Sequence, residues 1–174
     1  MAFPMPKSDE AQESTLRLVA EQACAQALCV TAGVTLVRGN GSALVVGTSL
    51  LGRQLEQTQR DLGQGPGVDA IRQLQVFNVA SLGTTRSWPD FVSQAVSRGV
   101  RSALAVPIVL RGRALGALDL YSLEPAAFDG IEQVGLHFAS EAAMALAALA
   151  DGCERRLAHP ASLPNGQGRS HAVS

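Results

Sequence analysis

The stretch SALAVPIVLRGRALGALDLY, from Ser102 to Tyr121, limits the possible folds of this chain more than any other segment. Ser102 to Leu110 is an almost unbroken apolar run rich in Val, Ile and Leu, the composition of a central strand covered on both faces. Arg111-Gly112-Arg113 then offers polar turn chemistry with a residue free to take positive φ, as a tight hairpin requires. From Leu115 to Tyr121 the pattern alternates. Successive side chains point to opposite faces of a sheet, so Leu118 and Leu120 share one face and Ala117, Asp119 and Tyr121 the other. A carboxylate and a phenol beside small residues on so central a strand point to a lined cavity.

The remaining chain must cover such a hairpin, and its length allows this. With 174 residues, 47% of them hydrophobic and 17% charged, it fits one domain with a real core. Fourteen basic residues stand against fifteen acidic ones, which provides no electrostatic case for nucleic acid or an anionic membrane as partner. Aromatics are scarce and do not alternate with basic residues as base-stacking platforms do. The start, MAFPMPKSDE, lacks the pattern of a secretion signal, and no segment approaches the roughly 18 uninterrupted apolar residues of a membrane span. A soluble, cytoplasmic protein is expected. The three cysteines, Cys24, Cys29 and Cys153, lack framework spacing and read as reduced thiols.

In chain order, a flexible start over residues 1–8 precedes a helix capped by Ser8 or Asp9 and running to about Leu28, with Leu16, Val19, Ala20, Ala23 and Ala27 as its apolar stripe. Cys29–Val37 and Ser42–Thr48 read as strands joined by Arg38-Gly39-Asn40-Gly41, whose Asn-Gly pair is a strong hairpin signal. A polar helix over Leu50–Gln64, with Leu51, Leu55 and Leu62 as apolar members, gives way to the breakers Gly63, Gly65, Pro66 and Gly67. A short helix over Val68–Leu74, a brief edge strand over Val76–Ala80 and a helix opened by Ser87-Trp88-Pro89-Asp90 lead to the hairpin. A long helix from Asp129 to about Leu149 closes the domain, its apolar surface too wide for one face, and residues 151–174 read as a disordered tail. This order predicts an α+β domain over 9–150, with a mostly antiparallel sheet, the terminal helices on one face and the short helices over a pocket on the other.

The segments AGVTLVRGNG, DLGQGPGVDAIRQ, TRSWPDF, GVRSALAVPIVLRGRALGALDLYSLEPAAFD and FASEAAMALA, in that order, resemble a GAF domain of the type found ahead of ANTAR output modules in bacterial signalling proteins. The resemblance implies a five- or six-stranded antiparallel sheet, a small-molecule pocket and homodimers formed through the terminal helices. It also marks two departures. Gly67 stands where many relatives carry the Cys of a Gly-Pro-Cys-x-Asp motif, and a short tail stands where relatives continue into an output domain, so a separate output protein is the expected partner.

Asp119 and Tyr121 lead the candidate ligand-binding residues; the alternative for Asp119 is a structural carboxylate that caps a helix or accepts from backbone amides. Asp69 is placed either to cap its helix or to orient a ligand amine, Trp88 and Phe91 either to wall the pocket or to fill core, and Arg101 to meet an anionic group at the rim or to remain solvated. Pro66, in the glycine-rich turn, and Ser102, beside Arg101, complete the set. Gly63-x-Gly65-x-Gly67 follows no clear strand and lacks the Lys-Ser/Thr of a phosphate loop, so helix breaking explains it better. His137, on a helix expected behind the sheet, reads as a surface or interface residue rather than a haem ligand. No cofactor, metal ligand set or catalytic constellation is expected. The leading function is a non-enzymatic sensor of an unidentified small molecule, ahead of a ligand-free interaction module and of a cysteine-dependent redox enzyme.

Overall fold

In a computed structural model that describes residues 7–158, the elements in chain order are α1 (Lys7–Ala27), β1 (Thr31–Val37), β2 (Ala43–Gly47), α2 (Leu50–Leu62), α3 (Pro66–Gln73), β3 (Phe77–Val79), α4 (Pro89–Ser97), β4 (Ser102–Leu110), β5 (Arg113–Ser122) and α5 (Glu132–Ala158). The five strands form one sheet in the order β2-β1-β5-β4-β3, every neighbouring pair antiparallel. The α+β architecture is the expected one. The β4–β5 hairpin occupies the middle of the sheet and β3 the edge. Its turn places both central residues at positive φ, Arg111 at 51° and Gly112 at 76°, the geometry whose twist matches paired strands.

The alternation along β5 sorts the two cores. Leu118 and Leu120 face α1 and α5, in a cluster with Leu16, Ala20, Phe138 and Ala142. Alanines along both helices let them lie close to each other and to the sheet, and Gly135 lies so near Val106 and Leu104 that a β-carbon there would press on both. On the opposite face Tyr121 joins Leu55 of α2 and Phe91 of α4, while Ala117 and Ala105 meet Ala70 of α3. The expected roof of short helices is therefore present.

Local chemistry sets the element ends. Ser49 Oγ caps α2 by accepting from Gly52 N at 3.2 Å, and Gly63, at φ 61°, ends it. In the β1–β2 loop, Asn40 Oδ1 accepts from Ser42 N and Ser42 Oγ at 3.0 and 2.6 Å.

Two expectations change. α1 ends at Ala27, and Leu28 turns the chain at φ 54°, so Cys29 leaves the helix. The Cys24 and Cys29 Cα atoms come within 5.0 Å and the two sulfurs form a disulfide rather than reduced thiols; β1 accordingly begins at Thr31. At the other end, α5 runs to Ala158, past the expected stop near Leu149, because Gly152 is a tolerated position in an otherwise helix-favouring run. The boundary placed at 150 thus falls inside a helix; residues 159–174 of the expected tail and residues 1–6 of the expected flexible start lie outside the described residues.

Candidate functional site

On the roofed face of the sheet, a cavity of about 340 Å³ lies between β1, α2, α3 and β5. Its buried lining includes Glu56, Gln59, Gly67 and Asp119, and its exposed lining includes Arg60 and Arg72. Small residues make room for the acids. Asp119 is paired across the sheet with Gly33 on β1 and Ala105 on β4. A β-carbon on Gly67 would overlap the Asp119 carboxylate, and one on Gly33 would overlap the Glu56 side chain. The glycine at 67 is therefore a packing requirement of Asp119, and a Cys there would have to displace it.

A directed chain of hydrogen bonds crosses from α3 to β1. Gly67 N donates to Gln59 Oε1 at 2.8 Å, and Gln59 Nε2 donates to the Tyr121 hydroxyl at 2.7 Å. Tyr121 in turn donates to Glu56 Oε1 at 2.7 Å, while Thr35 Oγ1 donates to Glu56 Oε2 at 2.7 Å. Gln59 and Tyr121 each accept one bond and donate another, and Glu56 accepts at both oxygens, so the two α2 side chains are locked against the sheet. Asp119 lies beside this chain, next to Glu56 and Gln59. It is 1% exposed, and neither carboxylate oxygen has a hydrogen-bond partner among the described residues.

Burial sets the electrostatics. It pushes the Glu56 carboxyl up to about 7, against the hydrogen bonds from Tyr121 and Thr35, which favour the charged form. Burial raises Asp119 well above the usual carboxylate range, and the nearby Glu56 charge raises it further. The Tyr121 phenol is raised by the same burial and then by both carboxylates. At neutral pH the site therefore resists carrying two negative charges.

Asp119 lines the cavity, and it neither caps a helix nor accepts from a backbone amide. Tyr121 lies beneath, contributing through its hydroxyl to Glu56 and Gln59. The other candidates do not line this cavity. Asp69 accepts from Trp88 Nε1 at 2.8 Å, and the Trp88 ring meets Phe77 edge-on at 5.7 Å, so both brace α3 against the loop before α4. The cap of α3 is Gly65 rather than Asp69, and Pro66 is buried at the first turn. Phe91 is core. Ser102 donates to Glu124 O at 2.7 Å, tying down the loop after β5. Arg101 is exposed and lines a different hollow of about 270 Å³ with Ser81, Val96 and Pro125.

Glu56, Gln59 and Thr35 were not singled out from the sequence. A signal existed: Gly52, Leu55, Glu56 and Gln59 recur at three- and four-residue spacing, so two polar residues share the buried face of a helix that otherwise reads as solvated. Among the described residues no group of three or more His, Cys, Asp or Glu could hold a metal ion, and no helix is long and apolar enough to cross a membrane. His137 is exposed on α5. Cys24 and Cys29 pack on the α1–α5 side, across the sheet from Asp119.

Comparison with known proteins agrees with this architecture. A free methionine-R-sulfoxide reductase of type II from Thermoplasma acidophilum superposes with a TM-score of 0.64 at 16% identity, over 82% of this chain and 97% of that one. The GAF domain of a phosphoenolpyruvate-protein phosphotransferase from Acinetobacter gives 0.62 at 12% identity, over 82% and 86%. A GAF domain/HD domain protein from Geobacter sulfurreducens gives 0.61 at 16%, over 85% and 97%. These identities establish a shared fold. No curated protein matches the sequence significantly. The GAF domain family model matches residues 9–147, most of the chain, and this protein therefore belongs to the GAF domain family.

Proposed function

We propose that this domain is a non-enzymatic sensor that binds a small organic molecule in the cavity over Asp119 and signals as a homodimer to a separate output protein. The observation that carries the reading is the cavity of about 340 Å³ bordered by the buried Asp119, whose carboxyl has no hydrogen-bond partner among the described residues. Such a group costs about 1–3 kcal/mol when left unsatisfied, a penalty that a hydrogen-bonding ligand removes. The resemblance of its motifs to GAF domains that precede ANTAR modules supports a place in signalling. The described cysteines lie across the sheet from the acids, which supports binding over thiol chemistry. Leu136 and Met144 are exposed on α5, an apolar surface that suits a second copy of the chain, and ligand-induced shifts of α2 and α3 would reach that surface through the sheet.

A thermal-shift screen of amino acids, nucleotides and aromatic metabolites tests the reading, with light scattering at micromolar protein. Stabilisation that is lost in an Asp119→Asn variant is expected. No stabilisation by any compound would remove the sensor reading, and a strict monomer would remove the dimer.

A further inference from the structure

Two glycines bring two buried acids together. Gly33 on β1 is the cross-strand partner of Asp119, and the β-carbons of such partners stand about 5 Å apart on one face of a sheet. Gly33 has no side chain, and the Glu56 side chain from α2 fills the place one would take. Glu56 is therefore the neighbour that Asp119 meets on the side of β1. Toward α3, Asp119 packs against Gly67, whose backbone N–H already donates to Gln59 Oε1 at 2.8 Å.

The two acids differ in what surrounds them. Glu56 accepts from Tyr121 at one oxygen and from Thr35 at the other, an environment that favours its charged form. Asp119 has a donor at neither oxygen and is 1% exposed, so a charge on it would be buried and uncompensated. A proton on Asp119 removes that charge and supplies a donor. The Glu56 carboxylate has lone pairs to spare for it beyond the bonds from Tyr121 and Thr35, and an O–H donated to a carboxylate is among the stronger hydrogen bonds.

No cation takes over this role. Strands β1, β2, β3 and β4 carry no charged side chain, and β5 adds the Tyr121 phenol. On α3, Asp69 accepts from Trp88 Nε1 and Arg72 donates to Gly63 O. On α2, Arg53 and Arg60 are exposed and Asp61 is engaged by Gln57. Arg60 and Arg72 line the open part of the cavity, and neither forms an ion pair with Glu56 or Asp119.

We propose that Asp119 holds a proton which it donates to the Glu56 carboxylate, and that this shared proton is a pH-sensitive latch fastening α2 and α3 to the sheet. Burial raises both acids, and the Glu56 charge raises Asp119 further, so the last proton of the pair persists through neutral pH. Its removal at alkaline pH leaves two like charges side by side between α2 and β5, with α3 resting on one of them through Gly67. The roof then loosens, while α1 and α5 keep their packing on the other face of the sheet. The proton is thus an input of its own, separate from any ligand of the cavity.

Carbon-13 NMR of the Glu56 and Asp119 carboxyl carbons across a pH titration reads the protonation directly, and amide hydrogen exchange, corrected for intrinsic rates, reads the roof. Asp119 is expected to ionise last, well above the usual carboxylate range. Glu56→Gln removes the like charge, so Asp119 should there ionise at least about one pH unit lower, a tenfold change in its acid constant. Above the parent's upper step, α2 and α3 amides should lose at least about tenfold more protection than those of α5. Asp119→Asn, which donates an amide N–H without titrating, should keep that protection. If Asp119 ionises at an ordinary value of about 3.9, or at the same pH in Glu56→Gln as in the parent, the shared proton is overturned. If α2 and α5 lose protection equally, or if Asp119→Asn loses it as the parent does, the latch is overturned. Where a variant does not fold, the parent's order of ionisation and its exchange pattern decide by themselves.

Discussion

The position a β-carbon would take on Gly67 is filled by the Asp119 carboxylate. Helix α3 and strand β5 are thus in contact through a residue without a side chain and a residue without a partner. Gly67→Ala should raise helix propensity locally yet cost about 1–3 kcal/mol by overpacking, read from urea denaturation. In an Asp119→Ala background the same change should cost less, since the colliding group is gone. Equal losses in both backgrounds would show that the contact is not what constrains residue 67.

Tyr121→Phe removes the donor to Glu56 and the acceptor of Gln59 in one step. Leaving buried polar groups unpaired is expected to cost about 1–3 kcal/mol, with the Glu56 carboxyl rising further as it loses its donor. A loss within experimental error in chemical denaturation would mean that water or rearrangement replaces the bond.

Stability should fall as pH rises from about 4.5 to about 7. Glu56 titrates at the ordinary 4.5 when unfolded and near 7 when folded, so in that window the folded state holds more protons and each rise in pH favours unfolding. Asp119, raised in the same direction, extends the effect. Denaturation midpoints across this range should decline in the parent and flatten in Glu56→Gln and Asp119→Asn. A parent profile that is level, or one that climbs with pH, would contradict the assigned direction.

Reduction of the Cys24–Cys29 disulfide, which closes a short loop between α1 and β1, should lower stability by about 2 kcal/mol. Under denaturing conditions a thiol reagent should find two more reactive cysteines after reduction than before it. Ligand binding should persist in a Cys24→Ser/Cys29→Ser double variant, because the pair lies across the sheet from Asp119. Loss of binding there would instead couple the helix layer to the pocket.

The hairpin centre of the sheet, the edge position of β3, the division of β5 into a helix-facing and a roof-facing side and the family itself were all legible in the residues. Each depends on a local regularity: period two along a strand, turn chemistry at Arg111-Gly112, breakers between Gly63 and Gly67. Asp119 was legible as the polar member of a sheet face for the same reason. The tertiary structure decided what surrounds it. Glu56 and Gln59 reach the site because α2 crosses the sheet closely, at Gly52 over Thr31 and Ala32 and at Gly33 under Glu56, a juxtaposition of segments distant in sequence that no single periodicity encodes. Arg60 and Arg72 meet at one cavity for the same reason, whereas Arg101 and Trp88 are drawn to other contacts. The disulfide required the chain reversal at Leu28, a backbone choice that the spacing of two cysteines alone leaves open. Local pattern determines which face a residue occupies, and packing between distant elements determines what it meets there.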